Sequence, residues 1–340
     1  MRVLAIGATG FIGPPIVRLL IGQGHEVALL HRGETSAKLP GDVQHVLGNR
    51  DALADVLPDV ERFGPEVVLD VVLYTERQAR ELVETFRGLT RRVIALSSAD
   101  VYRNYDGARG KPTAPPDPTP LSEDAPLRER RFPYRGYGLP QPWADDYDKI
   151  PVEQTILNAP DLPGTVLRLP AVYGPGDNQH RLRPYLRRMD DGRPAILLAE
   201  GQAGWRGTRG YVENVAAAVA LAVTDDRAAG RVYNVGEEPT PTEREWVGQI
   251  AAAAGWSGEI VMVPARHLPD HLRPPFDFRY DLATDTGRIR EELGYSEPVE
   301  RQEALDRTVE WERGQRDGAA PPDYAAEDAA LLAAKRSRRK

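Results

Sequence analysis

The sequence predicts an α/β protein, a doubly wound parallel sheet with a smaller C-terminal α/β substrate lobe. Three observations predict it. Apolar runs of strand length alternate with helical stretches over the first hundred residues, the rhythm of a parallel sheet with right-handed crossovers. A glycine turn, Gly7-Ala8-Thr9-Gly10-Phe11-Ile12-Gly13, separates the first apolar run from the first helical stretch. With 340 residues the chain fits one large domain or two intimate lobes, and a chain of this size buries about 75% of its unfolded surface.

The elements follow in order. Residues 3–6 form a short apolar strand that ends at Gly7. Residues 14–22 read as a helix, with Ile12, Ile16, Leu19 and Leu20 at helical spacing and prolines where a first turn tolerates them. Strands are expected at 27–30, 43–47, 67–72 and 93–96. The third of these is apolar except for Asp70, as a strand covered on both faces should be. Residues 75–87 are a helix with Ala79, Leu82, Val83 and Phe86 on one stripe. The rhythm breaks at Arg103. Nine prolines fall between Pro112 and Pro142, and proline resists both helix and sheet. Residues 103–146 are therefore read as a proline-rich insertion, either a lid over the site or a solvated excursion without a role. Order resumes with a helix at 152–157, a strand at 165–169, an alanine-packed helix at 211–223 and a strand at 232–235. Helices follow at 242–254, 288–293 and 301–313. The expected division is a nucleotide half, 1–174 with 210–237, a substrate lobe, 175–209 with 238–330, and a basic tail, 331–340, solvated and frayed.

Composition excludes several classes. Without cysteine there are no disulfides, thiolate zinc sites, iron–sulfur clusters or cysteine nucleophile. The net charge of −7 argues against broad nucleic-acid binding, which needs a basic face. No signal peptide is read at the N-terminus. The longest apolar run, 215–223, is far short of the ~20 residues that span a bilayer. A cytoplasmic protein without a membrane partner is expected. His267 and His271 are four apart, but Pro269 lies between them and no third ligand is near, so no metal site is expected. No Gly-x-Ser-x-Gly elbow points to a hydrolase.

The glycine turn has a direct chemical reading. Its early glycines allow a tight turn and bring backbone N–H groups against a pyrophosphate, and its last allows helix and strand to approach closely. The helix start adds unpaired N–H groups and a positive dipole end. This is the Rossmann-type fingerprint in its expected strand–turn–helix context. At the end of the second strand, where NAD sites place a carboxylate, the chain has His31-Arg32-Gly33. A cationic Arg32 suits a 2′-phosphate, so NADP is favoured over NAD.

With these residues in view, the chain resembles the extended short-chain dehydrogenase/reductase family, which includes nucleotide-sugar epimerases and dehydratases. The resemblance is carried by Gly7-x-x-Gly10-x-x-Gly13, by Ser97-Ser98-Ala99-Asp100-Val101-Tyr102 and by Arg168-x-x-x-Val172-Tyr173-Gly174-Pro175-Gly176-Asp177. It is carried further by Arg209-Gly210-Tyr211-Val212-Glu213-Asn214-Val215-Ala216, Tyr233-Asn234-Val235-Gly236 and Glu292-Leu293-Gly294-Tyr295. It implies cofactor contacts from Gly7, Thr9, Gly10, Phe11, Ile12, Gly13, His31, Arg32, Asn49, Val71, Lys149 and Pro170. It implies substrate contacts from Tyr102, Asn178, Arg209 and Arg273, within a lobe rich in arginine that would suit an anionic small molecule. A homodimer is compatible with it.

The family's chemistry uses a serine and a Tyr-x-x-x-Lys pair, the lysine lowering the tyrosine's pKa so that it exchanges a proton with substrate. Ser98 matches the serine and Lys149 the lysine. Four residues before Lys149 stands Asp145; the close tyrosine is Tyr147, two residues before. On a regular helix an i, i+2 pair points to different sides. Three readings stay open. The segment before Lys149 is irregular and Tyr147 takes the place; or Asp145, Tyr134 or Tyr137 is the acid/base; or redox chemistry is lost. The expected function is an NAD(P)-dependent epimerase, dehydratase or reductase acting on a hydroxyl or carbonyl carbon of a nucleotide-sugar-like substrate. The alternative is a non-redox or non-catalytic nucleotide-binding protein, RNA-associated ones included.

Overall fold

The computed structural model describes residues 1–35, 37, 39–41, 43–273, 276–315 and 320–337. Its strands are β1 (Arg2–Ile6), β2 (Glu26–His31), β3 (Gln44–Leu47), β4 (Val67–Asp70), β5 (Arg92–Ser98), β6 (Gly164–Leu169), β7 (Ala171–Tyr173), β8 (Ala195–Ala199), β9 (Arg209–Tyr211), β10 (Val232–Asn234) and β11 (Glu259–Val263). Its helices are α1 (Gly13–Gly22), α2 (Leu57–Phe63), α3 (Glu76–Phe86), α4 (Arg103–Ala108), α5 (Lys149–Leu157), α6 (Arg183–Asp190), α7 (Glu200–Gly204), α8 (Val212–Thr224), α9 (Glu243–Ala254), α10 (Gly287–Leu293), α11 (Arg301–Arg313) and α12 (Tyr324–Ser337).

Seven strands form one parallel sheet in the order β10-β6-β5-β4-β1-β2-β3, the doubly wound Rossmann-type arrangement. The order reverses between β1 and β4, so the crevice for a ligand lies beyond their C-terminal ends. The sheet strands are buried on both faces: β4 and β6 have no exposed residue. One core layer joins α1 and the alanines of α8 to β1 and β5; the other joins α3 and α5 to β4. Two helices start one residue later than periodicity predicts. Thr75 and Thr242 are N-caps, each closing a capping box with Gln78 and Glu245.

The second lobe holds more structure than predicted. β8 pairs with β11 within it, and β7 with β9 at its border, both in parallel. The expected frayed tail is in large part helix: α12 packs Ala330, Leu331 and Ala334 on β8 and β11. Its Glu327 pairs with buried Arg188 at 2.6 Å and meets His271 at 2.9 Å. Of the basic run 335–340, residues 338–340 lie outside the described residues.

The proline-rich insertion is fastened to both halves. Arg128 is buried, donates to the Asp100 carbonyl and pairs with Asp148 at 3.1 Å. Leu121 N–H donates to the Ala283 carbonyl at 2.8 Å, and its own carbonyl accepts from Asp285 at 2.9 Å. The Tyr280 ring lies against Gly107, where an added Cβ would come within 2.2 Å. The insertion therefore packs against both halves.

Candidate active site

The glycine turn separates its three roles. Gly7 has φ +73°, and a Cβ there would lie 2.4 Å from Val72 Cγ2. A Cβ on Gly13 would lie 2.3 Å from the Ala8 backbone, so this glycine lets the helix close on the turn. Around a Cβ added at Gly10, none of the described residues beyond its chain neighbours lies within 4 Å. Its bareness serves no packing, and it leaves room for a ligand to approach the backbone. α1 begins without a side-chain cap and without acid in its first turn. Pro14 and Pro15 carry no N–H, so within its first four residues only the Gly13 and Ile16 N–H groups are left for an anion. Thr9, Phe11 and Ile12 are half-buried beside them. These features fit a dinucleotide pyrophosphate.

At the ribose end, His31 Nε2 and His45 Nδ1 are 2.8 Å apart, and burial with the neighbouring His45 lowers the His31 pKa. Arg32 is 63% exposed in its side chain and pairs with Glu34 at 2.6 Å. Asn49 is exposed, and its Oδ1 accepts from Asp51 N–H at 3.0 Å. Val71 sits half-buried at the end of β4, and Pro170 packs between Gly210 and Gly236.

The catalytic corner forms where β4, β5 and the start of α5 meet. Lys149 is buried and donates to the Leu73 carbonyl at 2.6 Å and the Leu96 carbonyl at 2.8 Å. Burial lowers its pKa to about 8, against the pull of Asp100, Asp70 and Glu153. Asp148 caps α5 by accepting from Ile150 N–H, and its backbone is extended (φ −159°, ψ 111°), as is Tyr147 (φ −62°, ψ 120°). On extended backbone, residues two apart share a face. This is why Tyr147, not a residue four back, accompanies Lys149: Nζ lies 5.7 Å from its ring centroid. Asp145 is exposed, and its Oδ1 accepts from Gly136 N–H at 2.9 Å within the insertion. That contact directs its carboxylate to the insertion's own backbone. Ser98 is half-buried at the end of β5, its Oγ accepting from Asp100 N–H at 3.2 Å.

Residues the sequence reading did not single out complete the corner. The buried Asp100 accepts from Tyr147 Oη at 2.8 Å and from Tyr134 Oη at 3.2 Å. Tyr74 and Trp143 stack with centroids 4.1 Å apart, walling the same corner beside Tyr147. Asp100 stood inside a quoted motif. Its partnership with the insertion's Tyr134 depends on the fold and left no local signal.

Three of the four expected substrate residues are otherwise engaged. Tyr102 is fully buried, its hydroxyl donating to Asn234 at 2.6 Å and accepting from Arg168 at 3.0 Å. Arg209 is bound to Glu243 and lies over the Trp246 ring at 4.6 Å. Arg273 is tied to its own turn, donating to the Leu268 carbonyl at 2.8 Å and pairing with Asp270 at 2.9 Å. Asn178 remains exposed. The lobe's arginine cluster is largely neutralised from within: Arg181 pairs with Asp177 at 2.7 Å and Arg183 with Glu312 at 3.0 Å. Among the described residues no group of His, Asp and Glu could hold a metal, and no helix is long and apolar enough to cross a membrane.

Comparison with known proteins adds four findings. Residues 3–236 match the NAD dependent epimerase/dehydratase family. The chain is 30% identical over 283 residues to a 3-diazoavenalumate denitrifying reductase of Streptomyces sp, spanning 81% of this chain and 86% of that protein. It is 28% identical over 283 residues to the 2'-dehydrokanamycin reductase of Streptomyces kanamyceticus, spanning 80% and 72%. In fold it is similar to the UDP-glucose 4-epimerase of Thermus thermophilus in complex with NAD, with TM-score 0.64, 24% identity and coverage of 92% and 99%.

Proposed function

The chain belongs to the NAD-dependent epimerase/dehydratase family, and on that premise we propose that it interconverts a hydroxyl and a carbonyl carbon of a sugar-like small molecule, a nucleotide sugar or a related glycoside, using NADP or NAD. The observation that carries this reading is the Tyr147–Lys149 pair on one face of the extended backbone that leads into α5. A bound nicotinamide would supply or accept the hydride. Ser98 orients the reacting oxygen, and Tyr147 exchanges its proton. Lys149 has three N–H donors, two of them held by carbonyls, and keeps the third for the nicotinamide ribose. Gly10 and the open start of α1 hold the pyrophosphate, and Asn49 meets the adenine.

NADP is the preferred cofactor in this reading. An exposed pair such as Arg32–Glu34 is worth about 1 kcal/mol or less, so Arg32 is free to trade Glu34 for a 2′-phosphate. NADP should bind about tenfold tighter than NAD, and Arg32→Ala should erase the difference, since a charge-assisted contact of this kind contributes roughly 1.5–3 kcal/mol. Equal affinities in the parent protein would remove the preference.

A reductase is favoured over an epimerase by the internally paired arginines, which leave less free cation for a diphosphate, and by the names of the two curated relatives. The test is to follow reduced-cofactor absorbance with candidate nucleotide sugars and keto-glycosides. Net consumption marks a reductase, and product without net consumption marks an epimerase or dehydratase. Tight dinucleotide binding with no turnover of any substrate contradicts the enzymatic reading.

A further inference from the structure

Tyr147 is badly placed to work as a tyrosinate. Burial and the adjoining Asp100 carboxylate push its pKa well above the phenol range. A tyrosinate 2.8 Å from an ionised Asp100 would set two buried negative charges in hydrogen-bond contact. Asp100, however, is linked onward. Its Oδ2 also accepts from Tyr134, whose hydroxyl lies 2.8 Å from that of Tyr105. Tyr105 in turn accepts from Arg109 Nη1 at 3.3 Å, where the insertion reaches the rim. The Arg109 guanidinium covers the rings of Tyr105, Tyr134 and Tyr137 at 5.0–5.6 Å. Asp100 Oδ1 is buried with no hydrogen-bond partner among the described residues. Burial raises the Asp100 carboxyl, against Arg128, Lys149 and the two phenols that face it.

We propose that Tyr147 acts as a bridge, that Asp100 is the proton store behind it, and that Tyr134 and Tyr105 connect this store to solvent. The inference rests on Tyr147 being the group that meets substrate. During alcohol oxidation the substrate hydroxyl gives its proton to Tyr147 Oη while the Tyr147 proton passes to Asp100 Oδ2. Tyr147 stays a neutral phenol throughout and Asp100 becomes a neutral acid. Asp100 then returns to carboxylate: the Tyr134 hydroxyl, which donates to Asp100 at rest, turns toward Tyr105, accepts the Asp100 proton and passes its own to Tyr105 Oη, and the Tyr105 proton leaves to water beside Arg109. Each phenol gives one proton and takes one. Reduction runs the same transfers backwards. Asp100 is a positioning and storing residue here, since it touches Tyr147 and not substrate.

The test of the relay itself needs no substrate; only the check on Tyr147 uses turnover. In the full chain saturated with NAD, the carbonyl stretch of protonated Asp100, assigned by its loss in Asp100→Asn, is followed by infrared absorption after a rapid pH change. The relay predicts that the band responds about tenfold slower or more in Tyr105→Phe and in Tyr134→Phe, and that imidazole in the buffer restores the speed, as expected of a general acid–base path. Among the described residues Tyr105 makes no hydrogen bond to Asp100 or Tyr147, so a packing role would not give a slow rate that imidazole rescues. Parent-like rates in both variants overturn the relay. Slow, rescued rates with full turnover in Tyr147→Phe would leave the relay standing and refute instead the assigned role of Tyr147.

Discussion

With its ammonium buried and bonded to two backbone carbonyls, Lys149 titrates near neutrality because burial disfavours the charged form. That has a consequence for stability with a definite sign. Below about pH 8 folded and unfolded chains both hold the proton, and the cost is full, up to about 3 kcal/mol. Between about 8 and the ordinary value of 10.5 the unfolded chain binds more protons, so the cost falls as pH rises. Denaturant melts should therefore show the parent gaining stability relative to Lys149→Met between about pH 8 and about pH 10. A gap that does not change with pH would show that Lys149 is not desolvated in the folded state. Tyr147 and Lys149 were legible in the sequence as a pair whose spacing did not fit a helix. The sequence did not reveal that Asp148 would hold the chain extended, because its anchors, Arg128 and Arg131, lie in the insertion.

At the scale of elements, β1, the glycine turn and α1 form the unit that was most legible, and its glycines make distinct predictions. Gly10→Ala meets open space at an ordinary φ. It should fold with stability within about 0.5 kcal/mol of the parent. It should lose dinucleotide affinity by about tenfold or more, because the methyl group stands where the pyrophosphate approaches. Gly13→Ala drives its Cβ into the Ala8 backbone and should cost about 1–3 kcal/mol or more of stability. Thermal melts and cofactor titrations separate the two, and a Gly10→Ala protein that binds dinucleotide normally would contradict the cradle. The large parallel sheet was readable because buried strands are near-continuous apolar runs flanked by turns. The second lobe was less so. β7 and β9, at its border, have three residues each, too short for any period to show. The alanine-rich α12 could have been read as a helix from composition, but its basic end drew attention to the tail.

Across the whole molecule, the insertion and α12 decide how the halves are joined. α12 is fixed by Glu327, which holds Arg188 in a nearly buried pair. Glu327→Ala strands that guanidinium and should cost about 3–5 kcal/mol, read as a lowered melting temperature. An unchanged melt would show α12 to be dispensable. The insertion brings Trp143, Tyr134 and Tyr147 to the end of the central sheet, so the corner's chemistry is assembled from segments some 75 residues apart between Leu73 and Lys149. No local pattern could reveal that assembly. In the proposed mechanism Tyr147 occupies the role the usual spacing would give to residue 145. The most direct measurement is steady-state turnover of Tyr147→Phe beside Asp145→Asn on one true substrate. The account predicts a loss of about 10²–10⁴-fold for the first and near-parent turnover for the second. Near-parent turnover in Tyr147→Phe, or a collapse in Asp145→Asn, would contradict it.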